Sequence, residues 1–267
     1  MKRYWLTGIA LTVFMSLQAQ QQSGKITYSR TVELRISFAG MGDMQARDIP
    51  KTHTDKFEVS FGNNQSLKKA VVDEQPEPTG FDNGGRVVMV RSFGGGSDDV
   101  VYFNYGEKRS VDQREFAGKK YVIADSVRQL EWKIPGESKT ILGLPCQKAV
   151  AQKIGKRVSN MMINGEMKQT EVADTSNIVA WFTPAIPVPT GPEYQGQLPG
   201  AILEISVNDG KTVYQALEIS EKVDLAAIKE PKSGKKVTMQ QFTEEQKKLM
   251  QDMQRTNGGR GQTIRVN

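Results

Sequence analysis

A single cysteine, Cys146, and a single histidine, His53, stand in the whole chain. One thiol closes no internal disulfide, so the chain must draw its stability from its core. One imidazole builds no histidine-based metal cluster. It leaves one thiol–imidazole pairing to consider, Cys146 with His53. Basic residues cluster only as doublets (Lys68-Lys69, Lys119-Lys120, Lys235-Lys236, Lys247-Lys248). A nucleic-acid-binding stripe with interleaved aromatics is missing, so no nucleic-acid partner is expected. Long apolar runs are also missing after the first residues. Tyr4 to Leu17 carries no charge, follows Lys2 and Arg3, and precedes Gln18-Ala19-Gln20. That is the layout of a secretory signal peptide cleaved after Ala19. The run falls short of the ~20 apolar residues of a membrane span, and no Cys follows it for acylation. The expectation is an exported protein of the periplasm or outer-membrane periphery, with no transmembrane span in the mature chain. Loss of residues 1–19 leaves 34 basic against 30 acidic residues, a net charge of +4.

What the chain does have is strand pattern. Lys25 to Ser37 alternates, with Tyr28, Val32, Leu34 and Ile36 of one parity, and Phe57, Val59 and Phe61 share a face of 56–61. Further strands are expected at 86–91, 100–105, 107–114, 119–124, 127–134, 140–152 and 177–183. A hairpin should follow, with Ala201, Leu203, Ile205 and Val207 on one face and Asn208-Asp209-Gly210 supplying the positive φ of its turn. Such spacing predicts a mainly β fold: one curved antiparallel sheet or half-barrel, with a long Pro/Gly-rich crossover and a short C-terminal helix. The helix is expected to start at a Thr243/Gln246 capping box, to present Phe242, Leu249, Met250 and Met253 on one stripe, and to pack across the sheet's open face. The expected organisation is a signal peptide at 1–19, one β-rich domain at 20–255, and a disordered tail at 256–267.

Few motifs suggest chemistry. Gly94-Gly95-Gly96-Ser97 lies before a strand rather than a helix, so it reads as a hairpin loop and not a phosphate cradle. Cys146 sits in Leu142 to Val150 with Leu142, Leu144 and Val150 of its own parity, the pattern of a buried, inert thiol. A thiol-dependent enzyme would rest on Cys146 alone, because His53 lies in a polar stretch that reads as loop. Met161, Met162 and Met167 flank Asn164-Gly165, with Met41 and Met44 elsewhere; thioethers favour Cu(I), so copper handling is the metal alternative. Catalytic residues and cofactors are expected to be none. Five of the eleven prolines fall between Pro184 and Pro199, interleaved with Gly191, Gly196 and Gly200. Each proline restricts its own backbone and that of its predecessor, so this loop is expected to be an ordered belt.

Gly196-Gln-Leu-Pro-Gly-Ala-Ile-Leu-Glu-Ile205 resembles the signature of the GLPGLI family of exported Bacteroidetes proteins. Trp132-Lys-Ile134, Lys139-Thr-Ile141, Cys146-Gln-Lys-Ala149 and Ala180-Trp-Phe-Thr-Pro-Ala-Ile-Pro187 fit the same pattern over about residues 120 to 220. Gln197 replaces a Gly and Ala201 a Leu. The resemblance implies an envelope location and a β-rich fold, and supplies no reaction. It also implies an accessory role beside outer-membrane transport systems. The expected function is therefore a non-enzymatic envelope protein that binds a protein partner or an apolar ligand. Cys146, Trp181, Tyr194, Leu198, Pro199 and Gly200 form the candidate structural or binding motif, with Cys146, Trp181 and the 198–200 corner expected to pack as one unit.

Overall fold

A computed structural model describes residues 22–33, 52–71, 80–82, 87–89, 99–163 and 166–256. Alternating residues produce the strands β1 (Gly24–Glu33), β2 (Thr52–Gly62) and β3 (Gln65–Ala70), the short β4 (Gly80–Asp82) and β5 (Val87–Met89), and then β6 (Val100–Asn104), β7 (Arg109–Phe116) and β8 (Lys119–Ser126). After these come β9 (Ser138–Ile141), the long β10 (Leu144–Ile163) and β11 (Glu166–Thr183), β12 (Ala201–Val207), β13 (Thr212–Ser220) and β14 (Lys235–Val237). The helix α1 (Met239–Thr256) closes the described chain. Twelve strands form one sheet in the order β14-β8-β7-β6-β3-β2-β1-β13-β12-β11-β10-β9. Every pairing is antiparallel except β14 beside β8, so the sheet is mixed and open, with β14 and β9 at its ends. The signal-peptide expectation and Leu34 and Ile36 lie outside the described residues, as do residues 257–267 of the expected tail.

Tight turns make the antiparallel order. Asn63-Asn64, Ala117-Gly118 and Leu142-Gly143 all take positive φ at both positions. That geometry matches the right-handed twist of the strands they join. The Asn208-Asp209-Gly210 turn has φ of 50, 57 and 92°, as the sequence requires.

Several expectations change. Residues 127–134 form no strand; only Lys133 bridges Val150. The 140–152 strand is two strands, because Leu142 and Gly143 turn the chain and pair Leu144 with Ile141. Leu142 accordingly sits at the turn, 48% exposed, away from Cys146. The 177–183 strand is the end of an 18-residue one. In β12 the pairing shifts from Trp181↔Glu204 to Phe182↔Ile202, a bulge that leaves Leu203 extra. An extra residue flips the parity beyond it, so Leu203 joins one core cluster and Ile205 the other. The strands flanking the glycine run are not paired with each other: β5 pairs with β4, and β6 with β3 and β7. The run itself lies outside the described residues.

The core occupies both faces of the sheet. One cluster holds Ile26, Tyr28, Phe57, Val59, Phe61, Cys146, Ile186 and Leu203; the other holds Ala149, Ile178, Phe182, Leu198, Ile202 and Ile205. At the β14 end, Phe242 of α1 is buried against Tyr121, 5.1 Å between ring centroids. Burying such a ring contributes about 1.5–3 kcal/mol. The helix therefore covers the β8–β14 end rather than crossing the whole open face. Its capping box is Thr238 with Gln241: Gln241 N–H donates to Thr238 Oγ1 (3.2 Å) and Thr238 N–H to Gln241 Oε1 (2.9 Å). Thr243 lies one turn inside and donates back to the Met239 carbonyl.

Candidate functional site: a belted cleft

Residues 184–200 connect β11 to its neighbour β12, and the ends meet where Thr183 pairs with Ala201. Between those ends the chain makes an ordered excursion. Thr190 N–H donates to Val188 O at 2.7 Å and Gly196 N–H to Pro189 O at 2.7 Å, while the Ala201 and Ile202 N–H groups reach Ile186 O and Thr190 O. A Cβ on Gly200 would lie 2.2 Å from the Thr183 carbonyl oxygen, so only glycine lets the belt close on β11. The belt then reaches β3 and β6. Ser66 Oγ donates to Gln195 Oε1, which also accepts from the Tyr105 hydroxyl at 3.2 Å. Lys68 Nζ bonds Pro192 O (3.1 Å) and Glu193 Oε1 (2.9 Å).

A cleft of about 940 Å³ opens beside the belt, lined by Asp112 and Arg114 of β7 as well as Val150 of β10. Eight strand spacings separate β7 from β10 in the sheet order. Flat, that distance would be roughly 40 Å, so one cleft can touch both only if the sheet curls. The curl is a half-barrel whose open side is spanned by residues 127–133. Gln197 holds that span: its Oε1 accepts from Leu130 N–H (3.0 Å) and Trp132 Nε1–H (3.1 Å), and its Nε2 donates to Arg128 O. Two backbone groups of the span, Leu130 N–H and Arg128 C=O, are thereby bonded to the belt rather than to a neighbouring strand.

Tyr194 projects from the belt with φ 55° and meets Trp132 edge to face, ring centroids 5.7 Å apart. Burial pushes its hydroxyl up to about 12, with Glu193 adding to the shift. Tyr105, beneath the belt, is also raised to about 12 by burial. In the cleft, Arg114 pairs with Asp112 at 2.8 Å and Lys68 with Glu193 at 2.9 Å.

The expected unit of Cys146, Trp181 and the 198–200 corner is divided by the sheet. Cys146 and Trp181 lie with Ala201 and Leu203 on one face, whereas Leu198 and Tyr194 pack with Trp132 on the other. Pro199 is exposed, and Gly200 is the buried passage between them. Cys146 is fully buried, its Sγ 3.5 Å from Leu144 O, and burial raises its pKa. Val150, expected beside it, lines the cleft. His53 lies in β2 opposite Val32 rather than in a loop, and its Nε2 is buried without a hydrogen-bond partner. The β10–β11 register sets Met162 opposite Met167 and Met161 opposite Lys168; Met41 and Met44 lie outside the described residues. Among the described residues, no group of three His, Cys, Asp or Glu could hold a metal ion. Sequence reasoning missed the fastening roles of Gln195 and Gln197, which hold the belt together with Lys68. Gln195 showed only as a polar residue in a Pro/Gly-rich loop, and Gln197 only as a departure from the signature.

The arrangement defines a class: an open, curled β-sheet wrapped on a proline-rich belt and enclosing a cleft. Residues 132–204, which span Cys146, β10, β11 and the belt, match a family model described as "Protein of unknown function (Porph_ging)". No curated protein matches the chain. Two solved structures of PNGF-II, in the C2 and P21 space groups, are similar to 84% of this chain at 17% and 16% identity, each with a TM-score of 0.49. The chain spans about a third of the length of those solved chains, 32% and 33%. No helix among the described residues is long and apolar enough to cross a membrane.

Proposed function

We propose that this chain is an exported, non-enzymatic envelope protein of the GLPGLI type that holds a protein partner in its belted cleft. The cleft carries the reading. Its walls are fixed on three sides by the sheet, the belt and the Gln197-held span, so a partner meets a preformed surface and little ordering cost. Paired charges and the half-buried Tyr194 and Trp132 rings favour a protein surface over a purely apolar ligand. The 196–205 signature lies almost wholly inside the matched segment and ends in β12, which supports the family assignment. Residues 1–19 support export, and placement in the periplasm as an accessory to outer-membrane transport extends that reading.

The test is affinity capture of the tagged protein from its native envelope, analysed by mass spectrometry beside a Ser110→Arg variant that fills the cleft. A specific co-purifying protein with wild type, lost with Ser110→Arg at an unchanged melting temperature, is the expected result. Capture of nothing specific would sink the binding reading.

A further inference from the structure

Among the described residues, the outer edge of β10 is paired only at its beginning. β9 covers Leu144 to Gln147. Lys148 N–H then donates to Glu137 O, and Val150 exchanges both backbone bonds with Lys133, at 2.9 and 2.8 Å. Residues 134–136 bulge away between these contacts. The even-numbered residues of β10 thus turn N–H and C=O outward, and the alternation of an antiparallel ladder carries the same polarity on to Gln152 and Ile154. Among the described residues no strand pairs with this edge from Ala151 to Ile163, while the inner edge is bonded to β11 throughout. An unpaired row of donors and acceptors is a template for another strand. Ile154, beside it, leaves a large apolar side chain 70% exposed.

The cleft runs along this stretch, lined by Val150, Gln152 and Ile154. Arg128, Lys133 and Lys153 line it as well and form no ion pair among the described residues. Two of the lining acids, Asp112 and Glu193, are already paired, leaving Asp125 and Glu131 against three cations. Lys133 and Lys153 flank the free edge itself.

We infer that the β10 edge from Gln152 outward is a docking strand for an extended, acidic segment of a partner protein, which adds to the sheet by backbone pairing. This rests on the reading of the chain as a binding protein. Main-chain bonds supply the affinity, the apolar Ile154 a contact for alternate side chains, and the free cations a preference for Glu or Asp.

The probe is a fluorescent peptide of roughly nine residues, a long strand's length, with Glu alternating with Val and Thr. Two controls accompany it: the same peptide with Lys for Glu, and one N-methylated at alternate amides. Fluorescence anisotropy with the purified full chain should show binding of the Glu peptide. Binding should weaken about tenfold or more with the Lys peptide and vanish with the N-methylated one. Ile154→Pro, which removes an outward N–H without touching the β11 ladder, should abolish binding, and Lys133→Glu with Lys153→Glu should reverse the charge preference. If Ile154→Pro fails to fold, the N-methylated arm on wild type still decides. Absence of Glu-peptide binding, or equal binding of the N-methylated peptide, overturns the proposal. In the envelope capture, a partner held equally by wild type and a folded Ile154→Pro removes the edge but leaves the binding reading; a partner held by neither removes that reading.

Discussion

At the scale of the residue, Cys146 separates a structural protein from a thiol enzyme. A nucleophilic cysteine needs exposure and a group that favours the thiolate. Cys146 is fully buried, and burial raises its pKa more than the Ile141 backbone and Lys139 lower it; Lys139 Nζ is itself held by Glu204 at 2.7 Å and lies 4.4 Å over the Trp181 ring. The native thiol should therefore resist a polar alkylating reagent and react only after denaturation. Cys146→Ala should cost on the order of 1 kcal/mol or somewhat more, from lost contacts and a small cavity. Cys146→Ser should cost more, because a buried hydroxyl among apolar neighbours carries a desolvation penalty. Alkylation rates and the two melting temperatures measure this; rapid native labelling with an unshifted melting temperature for Cys146→Ser would refute it. The burial was legible from the parity of Leu144 and Cys146. What hid its neighbours was the Leu142-Gly143 turn, since a leucine at φ 49° gives no turn signal beyond the glycine that follows it.

At the scale of the element, legibility tracked how far apolar alternation alone decides structure. β1 and β2 were readable because one face is buried: Ile26, Tyr28, Phe57, Val59 and Phe61 alternate with half-exposed residues. The distal β10–β11 hairpin was not, because residues 153–176 are mostly polar and their pairing with each other needs no apolar face. The bulge at Leu203 was hidden for a different reason: an apolar Ala201-Ile-Leu sequence fits either face, so only the pairing with Trp181 and Phe182 fixes its register. The helix starts earlier than the expected Thr243/Gln246 box. Thr238 with Gln241 and Thr243 with Gln246 have the same spacing, and Phe242 packing on Tyr121 selects the first by fixing where the helix must already be wound. Thr238→Ala should thus lose about 1 kcal/mol in urea denaturation. Thr243→Ala should change stability by a few tenths at most, since alanine is the better former inside a helix. Equal losses at the two positions would return the cap to Thr243.

At the scale of the whole molecule, the curled sheet buries phenols on both faces and under the belt. Tyr28 donates to the Ile202 carbonyl at 2.8 Å and has its pKa raised well above 10 by burial. Tyr105 and Tyr194 are raised to about 12, and Tyr214 further, each chiefly by burial. A phenol whose folded pKa exceeds the unfolded value of about 10 keeps its proton longer in the native state than in the unfolded one. The native state then binds more protons across that interval, so stability falls as pH rises. The sign fixes the window: the neutral tyrosines stabilise fully below pH ~10, and the contribution disappears progressively from there through ~12. A melting curve alone does not assign the loss to the tyrosines. Phenolate absorbance does, because it follows the tyrosines directly. On slow alkaline titration, the phenols should ionise together with loss of the β circular-dichroism signal, in one cooperative step. Tyr194→Phe removes a shifted hydroxyl from the belt while keeping its edge-to-face packing on Trp132, and should move that step to higher pH. A gradual ionisation of the six described tyrosines with the β signal intact would mean that the belt opens independently of the sheet. The cleft would then be a mobile surface, and its walls could not present a partner with the preformed geometry on which the binding reading depends.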